Sequence, residues 1–364
     1  MDAIKPEREI KDEVEEAEEE LEVVVAIQRE QCVVCGGAEK IRTCFGKSCC
    51  NACNMLLRRS TALYKDKVEN PRNWNEIRRE EKFQRHQRML NSGLLLAHYE
   101  TNTSSETFLP RVLTHLEFME SYRTQKFEWE NVQNITPTLA IQNFEDRIQY
   151  SRKPAGAQMT CVQWSLLNQI TSVDFLKKFE VVRNGFLSSQ DAQKFLEHNY
   201  IKHMLFATAW RNFNQKEGAL TFPGGVNVLS KELETNKLIS DDLKKKIRGQ
   251  IIDTMIRLNM KNEEYMLLSA IFAMDSDIPL SENGIALLEI HQNYYATALR
   301  KFCTKEYGEK WITRFMELLG VVTVINHTYE NFCALVQLYM AFQRPSEEKR
   351  KFENLTKFAD AKPE

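Results

Sequence analysis

Six of the nine cysteines of this 364-residue chain fall between Cys32 and Cys53, while Cys161, Cys303 and Cys333 are scattered through apolar surroundings. Thiolates are soft donors, and a tetrahedral zinc site takes four ligands, commonly as pairs two residues apart that let one tight turn bind twice. Cys32 and Cys35 make one such pair and Cys50 and Cys53 a second, with 14 residues between the pairs to return the chain and close the site. Zn2+ is therefore the expected cofactor, held by Cys32, Cys35, Cys50 and Cys53. Cys44 and Cys49 are then spare. Cys49 competes with Cys50 for the third place, and the two-residue gap favours Cys50. Metal binding would supply much of the folding free energy of so small a unit, on the order of 10–16 kcal/mol.

The second pair runs into "NMLLRRS". A helix starting there would pack Met55, Leu56 and Leu57 on a small core and turn Asn51, Asn54 and Arg58 outward. Such a helix suits the major groove of DNA, where Arg reads guanine bidentately and Asn reads adenine. Arg59 is expected on phosphate.

These residues must be positioned by the rest of the chain. The net charge of −2 conceals a polarity: residues 1–31 carry 12 acids and 4 bases, residues 40–90 carry 13 bases and 5 acids. A basic segment that contains the cysteine cluster points to nucleic acid. No apolar run approaches membrane-spanning length, and the acidic N-terminus lacks the apolar core of a signal peptide. An intracellular, reduced setting is expected, in which clustered cysteines bind metal rather than form disulfides.

The chain divides into an acidic tail (1–31), a cysteine-rich basic module (32–95), a linker (96–109), a helical domain (110–345) and a C-terminal tail (346–364). The linker reading rests on "HYETNTSSETFLP", where Thr, Ser and Asn crowd together ahead of Pro110. Beyond it, apolar residues recur every three to four positions, as in helices. "LTFPGGVNVLS", Leu220 to Ser230, interrupts them with a turn and a short hairpin. Trp311, Phe315, Leu318, Val322, Ile325, Tyr329, Phe332, Val336 and Tyr339 follow a 4-3 spacing. That seam is either the core face of one long helix or a surface that also packs on a partner chain. No enzyme constellation stands out: His198 and His203 are poorly spaced for a helical metal pair, and no glycine-rich phosphate loop is present.

"FGKSCCNACNMLLRRS" resembles the end of the first zinc finger of nuclear hormone receptors, Gly-Val-x-Ser-Cys-x-x-Cys-x-x-Phe-Phe-Arg-Arg-Ser. Gly46, Cys50, Cys53, Arg58, Arg59 and Ser60 fall on matching places. "CNAC" is similar to divergent nematode receptors of the hepatocyte-nuclear-factor lineage. "FLSSQDAQKFLEHNYIKHMLFATAWRN" resembles the family's Leu-x-x-x-Asp-Gln-x-x-Leu-Leu signature through Leu187, Asp191, Phe195 and Leu196, with Ala192 in place of glutamine. "EEYMLLSAIFAMDSDIPLS" and "YGEKWITRFMELL" resemble the family's eighth helix and the start of its tenth, the dimer helix.

The resemblance implies a mostly α fold: a small zinc module and an all-α ligand-binding sandwich with a short hairpin. It implies a non-enzymatic, nuclear, zinc-dependent, sequence-specific transcription factor that forms a homo- or heterodimer through the helix around 311–339, with Phe315, Val322 and Ile325 on that helix. It pairs Glu264 with Arg314. It places Arg211, with His203, where a fatty acid carboxylate would sit, and makes Lys177 or Lys178 the lysine that clamps coactivators. Two departures stand out. The second zinc module has no cysteines: Lys82 and Gln87 stand at ligand places in "KFQRHQRMLNSGL", which leaves a basic helix held by Trp74, Ile77 and Phe83, or no fold at all. The C-terminal activation helix keeps Phe352, Leu355 and Phe358 without its acid. The competing reading is therefore a receptor-derived dimerising regulator that has lost independent DNA binding.

Overall fold

The computed structural model describes residues 31–61, 76–154, 156 and 158–342, with the side chains of 59–61, 76–82 and 339–342 left aside. The acidic tail as far as residue 30, Trp74, and the C-terminal segment with Phe352, Leu355 and Phe358 lie outside the described residues, as do the side chains of Arg59, Ile77, Lys82 and Tyr339.

The first elements are a hairpin, β1 (Ile41–Cys44) and β2 (Lys47–Cys50), followed directly by α1 (Asn51–Thr61). Then come α2 (Glu76–Asn91), α3 (Leu94–Thr103), α4 (Phe108–Trp129), α5 (Pro137–Gln142), α6 (Cys161–Leu176), α7 (Glu180–Arg183) and α8 (Ser189–Asn214). The chain continues through α9 (Lys231–Thr235), α10 (Asp241–Leu258), α11 (Asn262–Ala273), α12 (Glu282–Tyr307) and α13 (Trp311–Phe342). Hydroxyls start many of these helices: Thr136, Thr160, Ser188, Ser230, Ser240 and Ser281 each accept from the first-turn backbone of α5, α6, α8, α9, α10 and α12.

Two helices form the middle of the sandwich and are covered nearly all round. α11 is buried from Glu264 to Ala273, and α8 from Asn199 to Trp210. Around them α6 packs on α8, α12 on α11, and α10 on α13. Asp191, in the first turn of α8, accepts from both the backbone and the hydroxyl of Ser281, at 3.0 and 2.6 Å, and so ties α8 to the start of α12. A Cβ at Gly284 would meet its carboxylate at 3.1 Å, so a side chain there would require Asp191 or Leu280 to give by a few tenths of an ångström. The expected hairpin is present as β5 (Thr221–Phe222) and β6 (Val226–Asn227) around Pro223-Gly224-Gly225, with both glycines at positive φ. A second small pair, β3 (Glu130–Asn131) with β4 (Ser151–Arg152), has no clear sequence signal.

One expectation changes. The stretch read as a linker is helical over most of its length. α3 extends through Thr103 because Leu94, Leu95 and Tyr99 bury against the domain. Its polar residues satisfy themselves inside the helix: Thr101 donates to Ala97 O and Thr103 to Glu100 O, both at 2.8 Å. Pro110 sits in the first turn of α4, where its missing N–H is no loss. Of the cysteine-free second module, the described residues from 76 on form the helix α2, one of the two outcomes left open by the sequence. Of the two readings of the 4-3 seam, the residues show the first: it faces the domain's own core. Leu318, Ile325 and Val336 are buried in it, and Trp311, Phe315, Val322, Tyr329 and Phe332 pack against it. Ile325 therefore is not a surface residue available to a partner.

Candidate metal centre and recognition helix

The four-cysteine cluster is assembled by three short pieces of backbone. Cys32 and Cys35 sit on a tight turn closed by Gly36 N to Cys32 O at 2.8 Å, and Val33 N to Ser48 O at 3.0 Å ties that turn to β2. Gly36 holds a φ of +73° there. Cys50 is the last residue of β2 and Cys53 lies in the first turn of α1. Their four sulfurs all lie within 4.8 Å of one another. Cys35 Sγ and Cys50 Sγ are 3.7 Å apart, which matches the roughly 3.8 Å edge of a tetrahedron with ~2.3 Å Zn–S bonds. The donor set therefore fits a zinc ion. Burial pushes the Cys32 thiol up, but backbone N–H groups of Cys50, Cys35 and Val34 outweigh it and bring it to about 6.

Cys49 stands outside this group. Neighbouring strand residues point to opposite faces, and of Cys49 and Cys50 it is Cys50 whose sulfur joins the converging four. Cys49 is buried, its thiol directed at Cys50 O at 3.5 Å. Burial pushes that thiol up to about 12.

Helix α1 exposes Asn51, Met55 and Arg58, spaced on one face, and buries Asn54 and Leu57. Asn54 thus does not project outward, contrary to the sequence reading. Its Oδ1 has no partner among the described residues. Met55, assigned to the core from sequence, is on the exposed face instead. The helical wheel was legible, but a finger this small does not declare which side it rests on. It rests on the helical domain: Leu57, Cys49 and Cys53 join one apolar cluster with Met89, Leu94, Leu95 and Phe108. Phe45, at the β1–β2 turn, meets the His98 ring edge-on at 4.9 Å. Burial, reinforced by Arg58 and Arg111, lowers His98 to about 4.

In the helical domain Arg314 donates to Glu264 through Nε (2.8 Å) and Nη2 (2.6 Å), and through Nη1 to Leu258 O (2.7 Å). Tyr307 OH and the Lys261 N–H complete the shell of this fully buried carboxylate. Arg211 takes a different place from a free anion receptor. It donates to Thr221 O on the hairpin and its guanidinium stacks 5.1 Å from the Phe127 ring. His203 is fully buried, stacked on Phe175 at 4.2 Å, and burial holds it neutral. A cavity of about 20 Å³ lies between α6, α8, the hairpin, α10 and α13, bordered by Ser165, Met204, Thr208, Leu229 and Phe332. That is room for about one water.

Residues 153–342 match the ligand-binding domain of nuclear hormone receptor. The chain is 30% identical over 325 residues to nuclear hormone receptor family member nhr-27 of Caenorhabditis elegans, covering 87% of this chain and 89% of the relative. It is 27% identical to nhr-9 of the same organism over 83% of this chain and 89% of that one. It is 32% identical to nhr-167 over 54% and 57%. The chain belongs to the nuclear hormone receptor family.

Within the receptor, the two candidate clamp lysines are already engaged. Lys177 donates to Asp146 O at 2.6 Å, and Lys178 pairs with Asp174 at 3.2 Å with its ammonium over the Tyr122 ring. On α13 of the receptor, Phe315 and Val322 are half-buried, whereas Ile312 and Met316 stand 58% and 62% exposed, with Gly320 and Thr323 exposed beyond them. No described helix is long and apolar enough to cross a membrane.

Proposed function

We propose that this receptor-family chain is a zinc-dependent, sequence-specific DNA-binding regulator of transcription that acts in the nucleus. One zinc ion is held by Cys32, Cys35, Cys50 and Cys53, and α1 reads bases through Asn51 and Arg58, with Arg59 on phosphate. The observation that carries this reading is the convergence of four sulfurs at the start of a helix whose exposed face offers Asn51, Met55 and Arg58. The chain is read as a divergent receptor of the hepatocyte-nuclear-factor type in which helix α2 stands where a second zinc module would be.

A lipophilic ligand such as a fatty acid would enter between α6, α8 and α10. The cavity there is far smaller than a lipid, so binding requires Met204, Leu229 or Phe332 to move aside. A carboxylate at Arg211 would have to replace Thr221 O as its acceptor. Homo- or heterodimerisation through α13 would use Ile312, Met316 and their exposed neighbours, with Phe315 and Val322 at the margin.

The absence of cysteines from α2 favours a second reading, a dimerising regulator without independent DNA binding. Zinc content of the purified full chain, with duplex binding titrated against salt, separates the two. One zinc per chain with enrichment of a sequence from random duplexes supports the first reading. One zinc without enrichment moves the function to the helical domain.

A further inference from the structure

From Glu76 onward the chain reaches α4 through helices and turns alone. α2 turns into α3 at Ser92 and Gly93, where Ser92 Oγ donates to Met89 O at 3.1 Å and Gly93 N to Leu90 O at 2.9 Å. α3 turns into α4 after Thr103, where Ser104 Oγ donates to Thr101 O at 2.7 Å and Phe108 N to Ser105 O at 3.1 Å. A strut of this kind transmits a displacement that a flexible linker would absorb.

α3 touches both the finger and the helical domain. Toward the finger, His98 meets Phe45 edge-on at 4.9 Å. Phe45 holds a φ of +51° at the β1–β2 turn. That conformation is costly for an aromatic residue and persists only where its surroundings fix it. Toward the helical domain, the Tyr99 ring meets His291 at 4.8 Å and Tyr294 at 5.0 Å, both on α12. Tyr99 OH donates to Glu180 of α7 at 2.8 Å. The His98 and Tyr99 rings meet each other at 5.7 Å, so aromatic contacts run from the finger's hairpin to α12. Apolar packing spans the same elements: Val34 and Leu57 of the finger, Leu94 and Leu95 of α3, Phe108 and Tyr294 belong to one cluster. Leu57, Leu94 and Leu95 are completely buried. A unit as small as the finger buries too little surface to stand without a metal or a neighbour, and α3 supplies the neighbour.

We infer that the finger and the helical domain are one energetically coupled body: zinc at Cys32, Cys35, Cys50 and Cys53 fixes the finger surface that holds α3, and α3 docked on α12 in turn tightens the hold on zinc. This rests on the zinc reading above and not on DNA binding. Phe45 is carried by the hairpin whose last residue is the ligand Cys50, and Leu57 by the helix whose first turn holds the ligand Cys53. Loss of the metal loosens both, and α3 loses the cover over Leu94 and Leu95. Coupling between two sites is reciprocal, so a change at His98, which ligates nothing, must register in zinc affinity.

The test uses the full-length chain at pH 7. Zinc affinity is measured by competition with a chromophoric chelator, and backbone hydrogen exchange is followed with and without the metal. Stripping zinc from wild type should speed exchange in α3 and in the first turn of α4 while leaving α11 unchanged. His98→Ala should weaken zinc affinity by roughly 5- to 150-fold, the usual range of coupling between sites. Tyr99→Phe, which keeps the ring and removes only the bond to Glu180, should act in the same direction by less, and it carries the same test should His98→Ala fail to fold. A wild-type chain that keeps one zinc, with neither folded variant holding it less tightly, overturns the coupling and spares the zinc reading. So does α3 exchange that zinc removal leaves unmoved. A wild-type chain that retains no zinc overturns both.

Discussion

Cys49 and Cys50 are adjacent and chemically identical, so their difference lies wholly in the strand that carries them. Cys50→Ser should abolish zinc retention at micromolar chelator, while Cys49→Ser should keep one zinc per chain; metal analysis after gel filtration checks both. Glu264 and Arg314 present the opposite case, two residues far apart in sequence whose partnership decides stability. Removing one side strands a buried charge, typically at about 3–5 kcal/mol. Glu264→Gln should therefore unfold at clearly lower denaturant than wild type, and Arg314→Met at lower denaturant still, because Leu258 O also loses its donor. The convergence of the four cysteines was legible in sequence because spacing alone defines a chelating turn. The roles of Asn54 and Met55 were not, because the side of α1 that is buried is set by the helical domain against which it rests. Arg211 could be placed near the hairpin only once the hairpin's carbonyls had positions.

At the scale of elements, composition misled where side chains satisfy their own helix. The Thr- and Ser-rich α3 looks like a linker, yet its hydroxyls cap its own carbonyls while Leu94, Leu95 and Tyr99 fasten it down. That attachment has a pH signature. Burial is the main influence on Glu180 and raises it to about 8, against the opposing pull of the Tyr99 hydrogen bond and of Arg183. A carboxyl raised above its unfolded value binds more protons in the folded state, so its contribution to stability is full below the unfolded value and is lost as pH rises toward 8. His291, His98 and His115, lowered by burial to about 3, 4 and 4, titrate below that window and act in the opposite sense. Wild-type melting temperature should thus fall between pH 6.5 and 8.5 more than that of Glu180→Gln, which keeps an acceptor for Tyr99. Parallel thermal melts of the two proteins settle it. Identical pH slopes would mean that Glu180 is ionised in the folded protein.

At the scale of the whole molecule, the long helix α13 is the part where sequence periodicity and function separate. A 4-3 stripe states that one face is covered and cannot state by what. Here the receptor's own domain covers it: Leu318 and Ile325 lie in the main cluster, and Leu335 and Val336 in a smaller one with Leu229 and Ile247. What remains for a second chain is the other side, where Ile312 and Met316 stand exposed one turn apart, followed by Gly320, whose face has open space. Substitutions on the two faces should therefore behave differently. Ile325→Glu buries an uncompensated charge and should unfold the domain, at about 3–5 kcal/mol, so its loss of self-association would carry no information about an interface. Met316→Glu should leave the melting temperature within a degree or two and, if chains associate through α13, shift the sedimentation coefficient from dimer toward monomer at micromolar concentration. A Met316→Glu chain that still sediments as a dimer would place the interface elsewhere, because two carboxylates brought together across a symmetric contact repel and lose their water. The same logic ties the ends of the molecule together. α13 packs on α10 and α8, and the loop before α8 grips α2.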